Sequence, residues 1–185
     1  KSYVLIPSVS SERRKFVPIG FYDENTISTN LNLIIPNATL YHFGILTSTM
    51  HNGWMRTVCG RLESRYRYSV SIVYNNFPWP EPTDAQRQTI ETAAQTLLDA
   101  RASFPDATLA DLYDPLTMPP ELVRAHQVLD RAVDTAYGKK SFASEAERVA
   151  FLFERYQTIT SLLPAAPVKK SGKKPAKQPD HDPLP

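Results

Sequence analysis

Nine consecutive residues hold most of the side chains able to do chemistry on a partner: Arg61-Leu62-Glu63-Ser64-Arg65-Tyr66-Arg67-Tyr68-Ser69, with three arginines, one glutamate and two tyrosines. Duplex DNA is one partner for such a set. Arginine donates to guanine O6 and N7, glutamate accepts from cytosine N4, and further arginines hold phosphates. On an extended chain Glu63 and Arg65 point the same way and can address one G·C pair, one side chain per base. The competing reading is a solvated strand edge with a weak intrastrand ion pair. Composition alone favours that one, because charge clusters are usually surface. A second basic run, Glu12-Arg13-Arg14-Lys15, is either a phosphate contact or an exposed turn.

Other chemistries lack their residues. Only 6 glycines occur, none spaced as G-x-G, so neither a dinucleotide fingerprint nor a P-loop is present. The four histidines, His42, His51, His126 and His181, form no i,i+4 pair and no plausible metal triad. His126 lies on an apolar stripe and reads as a core histidine. No G-x-S-x-G elbow occurs. The sequence shows no catalytic, cofactor-binding or metal site. Cys59 is the one cysteine, which excludes an internal disulfide and points to a reducing cytoplasm. No apolar run approaches the roughly 18 residues of a membrane span, so no membrane partner is expected. The chain begins at Lys1, followed directly by strand-like Tyr3-Val4-Leu5-Ile6, and reads as a piece of something longer.

The elements that must position these residues divide by charge. Residues 1–80 hold 8 basic and 4 acidic side chains, residues 81–164 hold 8 and 13, and residues 165–185 hold 5 lysines against 2 aspartates. Pro78-Trp79-Pro80-Glu81-Pro82 interrupts regular structure at the first break. The expected class is α+β: a mixed strand and helix module over 1–80, truncated at its start, a small all-helical bundle over 81–164, and a disordered Lys/Pro-rich tail over 165–185.

Within the first module, period-two alternation predicts strands over 26–35 and 66–74. Leu40, Phe43, Leu46, Met50 and Trp54 predict one helix over about 38–58, packed on the sheet. Tyr66, Tyr68, Val70, Ile72 and Tyr74 fall on the apolar strand face, with Arg67, Ser69 and Ser71 opposite. In the second module, the capping box Thr83-x-x-Gln86 opens a helix with Ile90, Ala93, Ala94, Leu97 and Leu98 on one stripe. Pro119-Pro120 opens another, closed by Gly138. Ser144-x-x-Glu147 leads into a third with Val149, Leu152, Phe153 and Tyr156. Asn75-Asn76-Phe77-Pro78 superficially resembles the Asn-Pro-Pro-aromatic loop of amino-methyltransferases, but lacks its paired prolines.

Several stretches together resemble the C-terminal part of the MmeI-like, type IIL restriction-modification enzymes. They are Ser11-Glu12-Arg13-Arg14 with Val17-Pro18-Ile19-Gly20-Phe21, then Phe43-Gly44-Ile45-Leu46-Thr47-Ser48, Met50-His51 and Trp54-Met55-Arg56. Gly60 through Ser69 and Tyr74-Asn75-Asn76-Phe77-Pro78-Trp79-Pro80 follow. Leu112-Tyr113-Asp114, Met118-Pro119-Pro120-Glu121-Leu122 and Ala125-His126-x-x-Leu129-Asp130-x-Ala132-Val133 complete the set, which runs from about Ser8 to Thr160. The resemblance implies a target-recognition domain that reads an asymmetric site in double-stranded DNA, then a C-terminal helical domain.

It further implies an upstream methyltransferase domain, absent here, that binds S-adenosylmethionine and methylates adenine N6, so that this piece alone has no catalytic machinery. The base-setting pair ahead of Tyr-Arg-Tyr-Ser is occupied here by Glu63 and Arg65. Arg13, Arg14, Lys15, Arg61, Arg67 and Ser69 are the candidate backbone contacts. The rival reading is a helical protein-interaction module over 81–164 that docks a partner subunit, with no DNA readout of its own. A steep weakening of DNA binding with salt would separate the two.

Overall fold

The computed structural model describes residues 1–161. The expectation of a disordered tail over 165–185 lies outside the described residues. The fold is α+β, as the sequence implies, with two small antiparallel sheets and a helical layer. One sheet has the order β3-β1-β4, built from β1 (Tyr3–Pro7), β3 (Gly20–Tyr22) and β4 (Asn32–Pro36). The other has the order β2-β6-β5, built from β2 (Val9–Ser10), β5 (Gly60–Leu62) and β6 (Arg65–Arg67). Ser8 joins the sheets. Its N–H donates to the Leu31 carbonyl at 3.2 Å, and its own carbonyl accepts from Tyr68 N–H at 2.9 Å.

Both strands expected from alternation are shorter than predicted. Residues 26–31 form loop, not strand: β1 is five residues long, its one edge taken by Asn32–Pro36 and its other by β3, so nothing remains to pair with them. Short polar side chains satisfy that backbone instead, as where Ser28 Oγ donates to Thr29 O at 3.1 Å and Ser8 Oγ to Leu31 O at 2.6 Å. Ile27 accordingly stands 95% exposed. The strand expected over 66–74 stops at Arg67. A single π-helical turn, Val70–Tyr74, follows. Asn76 Nδ2 caps its carbonyls at Ser71 and Ile72, and Trp54 Nε1 donates to Val73 O at 3.0 Å. Burial therefore falls on Val73, whereas Val70 and Ile72, expected on the apolar face, are exposed. Tyr66 and Tyr68 are buried as predicted.

The helix expected over 38–58 is two helices, α1 (Leu40–Thr47) and α2 (Thr49–Val58), broken at Ser48. Ser48 Oγ donates to Ile45 O at 2.6 Å and accepts from His51 N–H at 3.3 Å, serving both helix ends. The Asp130 carboxylate completes the break by accepting from Thr49 N–H at 2.7 Å and the Thr49 hydroxyl at 2.6 Å.

The remaining helices are α3 (Asp84–Ala102), α4 (Leu109–Leu112), α5 (Pro120–Ala136) and α6 (Glu145–Thr160). The Thr83/Gln86 capping box forms, Pro120 opens α5, and Gly138 at φ 77° follows its end. Ser144 caps α6, but the Glu147 carboxylate reaches back to Ala143 N–H, not to Ser144 N–H.

Helices from both halves of the sequence share one core. Instead of lying only on the sheet, α1 packs against α3 and α5. Gly44 permits this: a Cβ there would meet Ile90 Cγ2 at 2.9 Å and Leu129 Cδ1 at 3.3 Å. Similarly α6 lies chiefly on α2, where Trp54 packs against Phe153 and Tyr156. The proline-rich connector is pinned in place, with Tyr137 Oη donating to Pro78 O and Arg155 to Trp79 O.

Candidate nucleic-acid interface

Helix α2 ends at Val58, and Cys59 leads straight into the β5–β6 hairpin. Leu62 pairs with Arg65, so Glu63 and Ser64 form a two-residue loop. Such tight hairpins favour a left-handed residue at the first loop position. Glu63 supplies it at φ 57° without being glycine, an arrangement that costs about 1 kcal/mol. Glu63 and Arg65 meet at the tip, where Arg65 Nη2 donates to Glu63 Oε2 at 2.8 Å. They come together through this turn, not as same-side positions of an extended strand, because the hairpin reverses the chain between them. Both remain open to solvent, their side chains 77% and 45% exposed.

Arg61 lies 4.1 Å over the ring of Tyr66 and donates from Nη1 to Ser64 O at 2.9 Å, so it braces the hairpin loop. Arg67 is exposed. Ser69 Oγ lies 3.0 Å from Ser71 Oγ. An open groove of ≈ 630 Å³, lined in part by Leu33, Gly60, Arg67, Ser69 and Ile72, runs beside them.

The pairing of β2 with β6, with Val9 opposite Arg67 and Ser10 opposite Tyr66, sets the second basic run beside the hairpin. That run, Glu12 to Lys15, starts one residue beyond β2, after Ser11. It folds as a turn in which Arg14 N–H donates to Ser11 O at 3.2 Å. Arg13 and Lys15 are exposed, while Arg14 is half-buried with its Nε unpartnered among the described residues. The structure thus gathers the eight expected contact residues around the sheet β2-β6-β5 and its flanking turns, although not on one face: Arg61 shares the Tyr66 side, while Arg65 and Arg67 point to the other.

Beneath this surface lies a buried polar network of which sequence reasoning found only His126. Arg101 donates from Nη1 to Ile19 O at 2.8 Å, and from Nε and Nη2 to Tyr113 Oη. Tyr113 Oη, already accepting from arginine, donates to His126 Nε2 at 2.8 Å. His126 stacks on Phe16 with ring centroids 3.8 Å apart. It is a core histidine as predicted, although its Nδ1 has no partner among the described residues. Burial first, then the Arg101 and Lys15 charges, drives its pKa well below the usual histidine range.

His51 forms a second buried set. Its Nδ1 lies 2.9 Å from Leu46 O, which can only accept, so Nδ1 carries the proton and Nε2 accepts from Tyr68 Oη at 3.0 Å. Burial pulls its pKa down to about 4, opposed by the Leu46 carbonyl, and pushes the Tyr68 phenol up. Asp130 is also shifted, its carboxyl pushed up by burial and partly offset by the Thr49 hydrogen bonds. The only local hint of these groups in the sequence is a charged or imidazole residue interrupting an apolar stripe.

The described residues contain no group of three or more His, Cys, Asp or Glu side chains able to hold a metal ion. No helix among them is long and apolar enough to cross a membrane.

Comparison with known proteins places this geometry. Residues 1–81 match the MmeI target recognition domain, and residues 82–164 match the MmeI C-terminal domain. A solved structure of the type IIL restriction-modification enzyme MmeI in complex with DNA is 58% identical, with a TM-score of 0.84 over 88% of this chain and 22% of that one. DNA methyltransferase A of Bacillus subtilis is 45% identical over 157 residues, 85% of this chain and 18% of that protein. The chain therefore spans about a fifth of the length of these relatives. With both matched domains in sequence order along nearly all of its length, the chain belongs to the MmeI family of restriction-modification enzymes.

Proposed function

We propose that this chain is the DNA sequence-recognition part of a site-specific adenine-N6 methyltransferase of the restriction-modification type, reading base edges in duplex DNA while a domain outside the chain binds S-adenosylmethionine and methylates. The observation that carries the reading is the exposed Glu63–Arg65 pair at the tip of a hairpin flanked by the exposed cations Arg13, Lys15 and Arg67, on a chain 58% identical in sequence to an enzyme solved with DNA. The tip offers an acceptor and a donor side by side. A G·C pair presents in its major groove the cytosine N4 donor and the guanine O6 and N7 acceptors, which is the complementary arrangement.

Arg13, Arg14, Lys15 and Arg67 flank the tip and are the contacts to phosphate, the sequence-independent part of the affinity. Arg61 and Ser69 contribute by holding the hairpin and turn in shape, with their remaining polar atoms free for the backbone. The target adenine must leave the stack to be methylated, which falls to the domain that carries the cofactor.

Methylation mapping of DNA from cells that express the complete reading frame tests the proposal. N6-methyladenine at one defined asymmetric motif is the expected result. No new methylation from a well-expressed, full-length protein would overturn it.

A further inference from the structure

We propose that Arg56 is a positioning residue for DNA recognition, locking the basic loop at Arg13–Lys15 to the root of the reading hairpin so that phosphate and base contacts keep one register. The inference rests on the DNA-reading function proposed above and deepens it.

Arg56 lies in the last turn of α2, immediately ahead of β5. Its guanidinium is divided between two tasks. Nε and Nη2 donate to the two carboxylate oxygens of Glu145, on α6, at 2.8 and 2.5 Å. Nη1 donates to the Lys15 carbonyl at 2.7 Å. The side chain is only 16% exposed. A planar fork can grip a carboxylate with one edge and still offer a donor elsewhere, which the single ammonium of lysine does not reproduce. Gly53, one turn earlier on the same helix face, leaves room for this: a Cβ there would stand 3.0 Å from Glu145 Cγ.

The Lys15 carbonyl matters because of what else holds the loop. Downstream anchoring begins at Phe16, stacked on His126, and at Val17, whose N–H donates to Asn52 Oδ1 at 2.8 Å. Upstream, pairing ends at Ser10. Between them the backbone is held by the local turn to Ser11 and by the hydrogen bond from Arg56. Without that bond the three cations have no fixed distance from Glu63 and Arg65. Ordering them on DNA would then carry an entropic cost that the intact loop has already met on folding.

A charge exchange separates positioning from simple helix pairing. Glu145→Arg with Arg56→Glu restores an ion pair between α2 and α6. It places a carboxylate, which cannot donate, against the Lys15 carbonyl. In the complete protein we expect Arg56→Glu alone to lower both the melting temperature and the salt dependence of DNA binding. The double variant should regain the melting temperature, while the slope of log K against log salt stays shallower than wild type by about 2–3, since each phosphate that the loop no longer neutralises removes about 0.9.

Recovery of the slope together with the melting temperature would overturn the inference. Should the exchange fail to restore folding, Glu145→Gln decides: it keeps Arg56, an acceptor at 145 and the Lys15 hydrogen bond, so the slope should remain near wild type. A change as large as that of Arg56→Glu would count against positioning. Failure of the wild-type protein to bind DNA with any salt dependence is a different result, which removes the underlying reading itself.

Discussion

Arg65 Nη2 lies 2.8 Å from Glu63 Oε2 across a two-residue hairpin loop, so the donor and the acceptor proposed to read one base pair are already aligned with each other before any DNA arrives. Being exposed, the pair contributes little to stability, and its side chains can exchange each other for base edges at small cost. Glu63→Lys together with Arg65→Asp exchanges donor and acceptor positions while keeping the net charge. We expect the preferred base pair at one position of the target to change, with a discrimination of about 1–3 kcal/mol. Methylation mapping of the full-length double variant reads this directly, and an unchanged motif would refute the assignment.

Glu63 also shows a separation between stability and function. Its φ of 57° is a conformation that asparagine tolerates better than glutamate. Glu63→Asn should therefore leave stability unchanged or raise it by up to about 1 kcal/mol, while losing discrimination at the same base position. A denaturation midpoint that falls markedly would show that the glutamate is structural.

Where α1 crosses α3 and α5, the limit is steric. A methyl group at Gly44 would stand 2.9 Å from Ile90 Cγ2, inside a fully buried contact. Gly44→Ala is expected to destabilise by about 1–3 kcal/mol, the usual cost of overpacking, visible as a lowered melting temperature. DNA specificity of the folded fraction should persist, because Gly44 lies in the helical core away from the hairpin.

The helix ends were legible in the sequence because their signals are local. Thr83 with Gln86, Pro119–Pro120, Gly138 and Ser144 each act on backbone groups within a few residues. The strands were not, because alternation cannot tell whether a partner exists. Residues 26–31 alternate as well as β4 does, yet β1 is too short to pair with them.

The break at Ser48 depends partly on Asp130, which lies far along the sequence on α5. For the candidate site, Glu63 and Arg65 were found by residue type and spacing and by family resemblance. The β2–β6 pairing that sets Arg13–Lys15 beside them is non-local and invisible to both. Arg56, Arg101 and Tyr113 act through buried hydrogen bonds to distant backbone and side chains, and nothing near them in sequence announces those partners.

The buried His51 makes stability depend on pH. Its folded pKa is held down to about 4 by burial, below the 6.5 of an exposed imidazole. Between these values the unfolded chain binds a proton that the folded one does not. Stability is therefore full above about pH 6.5 and declines as pH falls toward 4, by about 2 kcal/mol between pH 7 and pH 5 for this residue alone. His126, lowered by burial in the same direction, adds to the decline. Asp130, raised by burial, opposes it, since protonation of its carboxyl favours the folded state.

Glutamine at position 51 can still donate to Leu46 O and accept from Tyr68 Oη but does not titrate. His51→Gln should cost about 1–2 kcal/mol at pH 7 through imperfect geometry, and should flatten the fall in stability between pH 7 and pH 5. Denaturant titrations at the two pH values measure both effects. An equally steep fall in the variant would mean that the acid sensitivity belongs to His126 or to other groups, and that His51 titrates in the folded protein much as it does unfolded.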